Sequence, residues 1–148
     1  METDCLFCKI VDGKIPFHLV NEDKNHLAIL DIYPSVLGQT LVLPKKHYNS
    51  YVFAMPDRSY SGLMSFTRDT VAILDSRLRL VRTCMVVEGM EVDHAHIKLY
   101  PIHRVLNSVA DGVADLNEYK GYITTLHGAR MDDLQLQRVA EKIRAEIR

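Results

Sequence analysis

Two stretches of the chain bring together side chains that do chemistry. In Asp93-His94-Ala95-His96-Ile97-Lys98-Leu99-Tyr100-Pro101, polar and apolar residues alternate with a period of two. That is the signature of a strand with one buried face. Ala95, Ile97 and Leu99 fall on one side, and His94, His96, Lys98 and Tyr100 on the other. Two imidazoles and an ammonium on one face repel one another when charged, and each needs a polar partner. A bound anion, a metal ion or both would account for the arrangement better than a solvated strand face. The second stretch is Cys5-Leu6-Phe7-Cys8, a C-x2-C whose spacing lets two thiolates converge on one ion. A redox dithiol usually follows a buried strand at a helix start, and only Met-Glu-Thr-Asp precedes this pair. Two small buried cysteines are the plain alternative. A tetrahedral site requires two more ligands, for which the chain's histidines are the candidates.

The elements that must position these residues follow from periodicity and turn chemistry. Lys9 to Ile15 reads as a short helical turn that ends near Gly13, with Pro16 breaking it. His18–Glu22 and His26–Ile32 read as strands joined by a tight turn at Asp23-Lys24-Asn25. Asp31, at the end of an apolar run, is either an acceptor beside a ligand cleft or a solvated turn residue. Gln39–Pro44 is a third strand, and Lys45-Lys46-His47 follows it at a position where functional side chains often sit. Residues 57–78 form the clearest helix, with Asp57 or Ser59 as cap. Leu63, Phe66, Thr67, Thr70, Val71, Ile73, Leu74 and Leu78 make its core-facing stripe. Thr83–Val87 is the next strand, with Cys84 as a small buried residue unconnected to any metal. Glu88–Glu91 is a short turn, and the histidine strand pairs with this neighbour. Asn107–Asn117 reads as a Gly-containing surface loop, with a short helix as the alternative. A last helix starts at Asp132 or Asp133 and runs through Ile147, with Leu134, Leu136, Val139, Ala140, Ile143 and Ile147 as its apolar face. Antiparallel strands with segregated helices give an α+β class.

The composition sets the bounds. The 148 residues fit one domain, and an apolar share of 47% supports a single core. Eighteen Lys and Arg against nineteen Asp and Glu, with no basic run, argue against nucleic-acid binding. The acidic N-terminus lacks a signal peptide's basic and apolar regions, and no apolar run reaches membrane-spanning length. The expectation is a soluble, cytoplasmic protein. Three cysteines fit reduced thiols or a metal site better than a disulfide framework.

Four blocks, in order, resemble the histidine triad (HIT) family of nucleotide-binding proteins. They are Cys5–Pro16, Leu27–Pro34, Gly38–His47 and His94–Pro101. The likeness covers residues 5–102, the whole chain 1–148 being taken as a single HIT-like domain in which 103–148 is a C-terminal extension ending in a helix. The resemblance implies a twisted antiparallel sheet with one long helix, and commonly a homodimer. It implies that Cys5, Cys8, His47 and His94 hold a structural zinc ion, as in the zinc-bearing prokaryotic members. It gives His96 the role of nucleophile toward the α-phosphate of a nucleotidyl compound, through a nucleotidyl-histidine intermediate. Asp31 becomes the ribose acceptor, and Phe7, Ile10, Ile15, Ile29, Leu30 and Ile32 surround a purine base. The expected activity is that of a hydrolase or transferase acting on nucleoside phosphoramidates or dinucleoside polyphosphates. Two departures stand out. Lys98 replaces the third triad histidine and is a fixed cation where the family has a titratable ring. The segment Val87-Glu88-Gly89-Met90-Glu91-Val92 lacks the family's Asn and Gly-Gln contacts to phosphate, leaving Lys98 and His103 as candidates for that task. These departures open a second reading, a nucleotide-binding module or sensor with little or no turnover.

Overall fold

A computed structural model describes residues 4–105, 118–119 and 129–144. Helix α1 (Leu6–Val11) is followed by strands β1 (Leu19–Glu22), β2 (His26–Leu30) and β3 (Thr40–Pro44). A 3-10 turn at Val52–Ala54 leads into the long helix α2 (Asp57–Leu78), then β4 (Arg82–Val86) and β5 (Ile97–Ile102). Two short strands, β6 (Arg104–Val105) and β7 (Glu118–Tyr119), and helix α3 (Asp133–Arg144) complete the described elements. Five strands form one antiparallel sheet in the order β1-β2-β3-β5-β4. The fold is α+β, as the segregation of helices from strands in the sequence implies.

The sheet is buried on both faces, which is why all five residues of β2 are inaccessible. The pleat sends Ala28 and Leu30 to one side, where they join Val42, Ile97 and Leu99 against Leu63, Phe66 and Leu74 of α2 and Leu136 and Ile143 of α3. Leu27 and Ile29 point the other way and pack with Leu43 against Phe7 and Ile10 of α1. The small N-terminal helix is therefore the lid over the second face. Its start differs from the sequence expectation: the helix begins at Leu6, so the two cysteines straddle its first turn. Its end is as expected, with Gly13 in the left-handed region (φ 71°) and donating to the Ile10 carbonyl.

Other local features follow from specific bonds. The Asp23 carboxylate accepts the backbone N–H groups of Asn25 and His26 and the His26 ring Nδ1–H, which closes the β1–β2 turn. Neither Asp57 nor Ser59 caps α2 through its side chain. The helix starts after Pro56, whose carbonyl accepts from Ser59 and Tyr60. Ser59 sits too far inside the first turn to cap, and its hydroxyl pairs with that of Tyr48 at 2.8 Å. Within α2 the buried hydroxyls of Thr67 and Thr70 donate to the carbonyls four residues back. Asp132 caps α3 by accepting from Leu134 and Gln135. Leu134 is exposed rather than part of the apolar face, and Ile147 lies outside the described residues, as does the expected loop 107–117.

The β4–β5 pair has the expected antiparallel partnership, Val86 opposite Lys98 and Arg82 opposite Ile102. The connection is a ten-residue loop, however, because β5 begins only at Ile97. The loop is clamped to residues 48–50. Ala95 N–H donates to the Tyr48 carbonyl, and the Asp93 carboxylate accepts the Ser50 N–H at 2.9 Å. Gly89 adopts φ 64°, and a Cβ there would stand 2.6 Å from the Ser50 carbonyl oxygen. No side chain fits that approach. No helix among the described residues is long and apolar enough to cross a membrane.

Leu63 is fully buried where α2 meets the sheet. Leu63→Ala is expected to cost about 2–5 kcal/mol, read as a lower urea midpoint at unchanged slope. A loss below roughly 1 kcal/mol would contradict this packing.

Candidate functional site

The C-x2-C acquires its missing partners from two other parts of the chain. Cys5 precedes α1 and Cys8 lies one turn inside it, so both thiols leave the helix on one side. His47 follows β3, and His94 sits in the approach to β5. The four donor atoms all lie within 4.8 Å of one another. Cys5 Sγ is 3.5 Å and Cys8 Sγ 3.7 Å from His94 Nδ1, and Cys8 Sγ is 3.4 Å from His47 Nδ1. Four ligands around a zinc-sized ion leave sulfur–nitrogen edges of about 3.5 Å, so the donor set fits a tetrahedral divalent ion with no open position. The fully buried His94 donates its Nε2–H to the Pro44 carbonyl at 2.8 Å. A carbonyl oxygen only accepts, so that proton is fixed and Nδ1 is left bare toward the thiols. Cys84 is not part of this cluster.

Two residues on, His96 faces a different space. Its Nδ1 lies 2.7 Å from the carbonyl oxygen of His94. By the same logic Nδ1 carries the proton and Nε2 keeps its lone pair. The ring is buried, with Phe7 edge-on at 5.1 Å. Burial holds the imidazole below its usual pKa. The bond to the His94 carbonyl opposes that shift, and Lys98 reinforces it.

His96 borders a cleft of about 440 Å³, within the usual range for small-ligand sites. Phe7, Ile10, Ile15, Ile29, Leu30, Asp31 and Ile32 all line it, together with Lys98. Several of the apolar residues also pack the second core, so the wall of the cleft is the core itself. Asp31 is 6% exposed, which removes the solvated-turn alternative. Its carboxylate accepts the Tyr33 N–H at 2.8 Å and the Gln39 side-chain amide at 2.7 Å. Ser35 donates to the other end of that amide, fixing its orientation. Lys98 pairs with the Glu88 carboxylate and stands 3.6 Å from Glu91 Oε2. Glu91 is itself in the lining.

One candidate falls elsewhere. His103 is half-buried and donates Nε2–H to the Leu37 carbonyl at 2.9 Å, outside the cleft lining. An odd offset from His96 on a pleated chain puts it on the opposite face. Leu41, Phe17, Glu91 and Val92 are lining residues that sequence reasoning missed. Leu41 was legible in principle, since it pairs with Ile29 across the β2–β3 ladder.

Comparison with known proteins agrees with this geometry. The family model described as "HIT domain" matches residues 12–104. An uncharacterised HIT-like protein of Methanocaldococcus jannaschii is 40% identical over 101 residues, covering 66% of this chain and 78% of that protein. The adenosine 5'-monophosphoramidase of Schizosaccharomyces pombe is 33% identical over 98 residues, covering 66% of this chain and 73% of that protein. The crystal structure of a hypothetical histidine triad nucleotide-binding protein from Sulfolobus tokodaii superposes with a TM-score of 0.74 at 21% identity. It covers 95% of this chain and 89% of that one, a likeness of fold.

The four-donor cluster predicts that cobalt titration of the metal-free protein yields tetrahedral d–d and thiolate charge-transfer bands that saturate at one ion per chain. Cys8→Ser should weaken binding by about tenfold or more. Octahedral spectra, or affinity unchanged in the variant, would contradict the site.

Proposed function

We propose that this chain, which belongs to the HIT domain family, is a nucleotidyl hydrolase or transferase with His96 as nucleophile. The observation that carries the reading is the spent Nδ1 of His96 beside an apolar cleft. The unprotonated Nε2 attacks the α-phosphorus of a bound nucleotidyl compound. A nitrogen–phosphorus bond forms as the bond to the leaving group breaks, and the leaving group departs with that electron pair. Water then attacks the phosphorus, the histidine leaves, and the free nucleotide carries the new oxygen. Charge stabilisation is the main task in such a transfer, and Lys98 is the cation next along the strand. Asp31 accepts the ribose hydroxyls, and the Ile10, Ile29 and Ile32 wall holds a purine. The monophosphoramidase of S. pombe, 33% identical, supports an activity of this class.

Zinc is the ion proposed for Cys5, Cys8, His47 and His94, with a structural task. Held there, it would tie α1, which carries Phe7 and Ile10, to the segment before β5 that carries His96. We further propose that residues 1–148 form one HIT-like domain. A cytoplasmic homodimer is the proposed assembly. Its support is the position of β4 at the sheet edge, with Val81 and Met85 exposed there. Nucleic-acid and membrane partners do not enter the proposal, since the charge is balanced and no basic run occurs.

A second reading has an observation of its own. Lys98 is engaged by Glu88 and Glu91, so its charge is partly answered before any phosphate arrives. That favours a nucleotide-binding module with little turnover. Intact mass after mixing with an adenylyl phosphoramidate, quenched at short times without acid, separates the two. The enzyme reading predicts a transient gain of one adenylyl group, absent in His96→Asn. Protein that binds AMP but forms no adduct and releases none would establish the binding module instead.

A further inference from the structure

The cleft wall at Asp31 is backed by an amide that has no freedom to turn. Gln39 is 2% exposed and lies across from Asp31, whose backbone N–H donates to the Gln39 carbonyl at 2.9 Å. The side chains repeat the pairing, with Gln39 Nε2–H donating to Asp31 Oδ2 at 2.7 Å. At its other end, Gln39 Oε1 accepts the Ser35 N–H at 2.8 Å and the Ser35 hydroxyl at 2.9 Å. A backbone N–H only donates, so the atom it meets is the amide oxygen. Ser35 therefore keeps the amide from flipping, and a donor always faces Asp31. A flipped amide would set its oxygen against a carboxylate oxygen in a buried site, at a high cost.

Asp31 itself is left half used. Its Oδ1 accepts the Tyr33 N–H and its Oδ2 accepts Gln39. A carboxylate offers about four acceptor sites, so one site remains on each oxygen. The group is nearly inaccessible to water, yet it lines the cleft. It cannot rotate about its last bond without losing one of its two donors, so the two remaining sites keep a fixed spacing and direction. Hydroxyls on adjacent carbons match such a pair. A single hydroxyl leaves one buried acceptor site unanswered.

We propose that Gln39, locked by Ser35, is a positioning residue that sets the sugar selectivity of this cleft: it holds the Asp31 carboxylate in the one orientation that rewards a complete ribose and rejects a sugar lacking either hydroxyl. The inference rests on the ribose role proposed for Asp31 and adds the element that enforces it. Gln39 touches no ligand, since it is buried behind Asp31 and absent from the cleft lining. Without its amide, Oδ2 loses its donor and the carboxylate turns to recover one. The paired sites then no longer meet both hydroxyls, while the apolar wall that receives the base is unchanged.

The test is calorimetric titration of AMP, 2′-deoxy-AMP and 3′-deoxy-AMP into the wild type, Gln39→Met, Ser35→Ala and Asp31→Asn. The wild type should bind AMP about tenfold or more tighter than either deoxy compound. Gln39→Met keeps the length of the side chain without its donor. It should reduce that ratio to about twofold or less and leave the deoxy compounds within about twofold of their wild-type affinity. Ser35→Ala keeps the backbone donor and removes the hydroxyl, so it should give an intermediate ratio from a milder change. Asp31→Asn checks the reading beneath: a ratio it leaves intact, or a wild type with no preference for AMP, removes the ribose role of Asp31 and this proposal with it. A ratio that Asp31→Asn abolishes but Gln39→Met and Ser35→Ala preserve overturns the positioning role alone. Equal weakening of all three ligands in Gln39→Met would mark a loss of structure rather than of selectivity, and would also overturn it.

Discussion

The hydrogen bond from His96 Nδ1 to the carbonyl of His94 is the constraint on which the site depends. It spans two residues of extended chain and decides which ring nitrogen meets the cleft. A second bond of the same kind, from His94 Nε2 to Pro44, makes the complementary choice for the neighbouring imidazole. One ring turns Nδ1 to the thiols, and the other turns Nε2 to the cleft. Both bonds use backbone carbonyls that the sheet leaves available. Pro44 has no N–H, so the β3–β5 ladder does not continue past Val42 opposite Ile97. The interrupted ladder is what frees the carbonyl and lets His94–His96 run alongside β3 as irregular extended chain.

The rest of the molecule keeps that segment in place. One face of the sheet is closed by α2 and α3, which bury Ala95, Ile97 and Leu99. Among the described residues, the helix on the other face is α1, six residues long, which contributes Phe7 and Ile10 to a small core. A helix of that length is marginal on its own. The cysteine pair at its start gives a covalent reason for it to stay, since an ion held by Cys5, Cys8, His47 and His94 would join it to two points on the sheet. The core and the cleft therefore share Phe7 and Ile10, and Cys5 packs against the same core. Lys98 shows the same economy: its charge is buried because Glu88 accompanies it, and the acid that makes burial tolerable also shapes the field around His96.

Much of this was legible in the sequence where one period dominates. The bounds of α2 at 57 and 78 came from the helical spacing of Leu63, Phe66, Thr67, Thr70, Leu74 and Leu78, and the structure sets the helix between Pro56 and a left-handed Arg79. The antiparallel strands and the Asp23 turn came from alternation and turn chemistry. The apolar residues and Asp31 assigned to the nucleotide by resemblance do share one cleft. Other features depend on contacts that no local period records. Alternation through His94 and His96 suggested a strand from Asp93, but pairing starts at Ile97 because the partner strand ends in proline. His103 lay close in sequence to the histidine strand and faces away from the cleft. Ser59 had the chemistry of a cap at a position already inside the helix. His47 is 39 residues from Cys8 and His94 is 86, so only the fold, or the family likeness, could join them. Glu88 and Lys98 stand ten positions apart in sequence across an irregular loop, and spacing alone gave no hint of their pairing.

The most direct test of the central claim is the tautomeric state of His96 in solution. Long-range proton–nitrogen correlation spectra of the nitrogen-15-labelled protein at neutral pH resolve the two ring nitrogens, and the His96→Asn variant identifies the relevant signals by their loss. A neutral ring with its proton on Nδ1 and a bare Nε2 is the predicted result. A proton on Nε2, or an imidazolium at neutral pH, would contradict the assignment of His96 as the nucleophile.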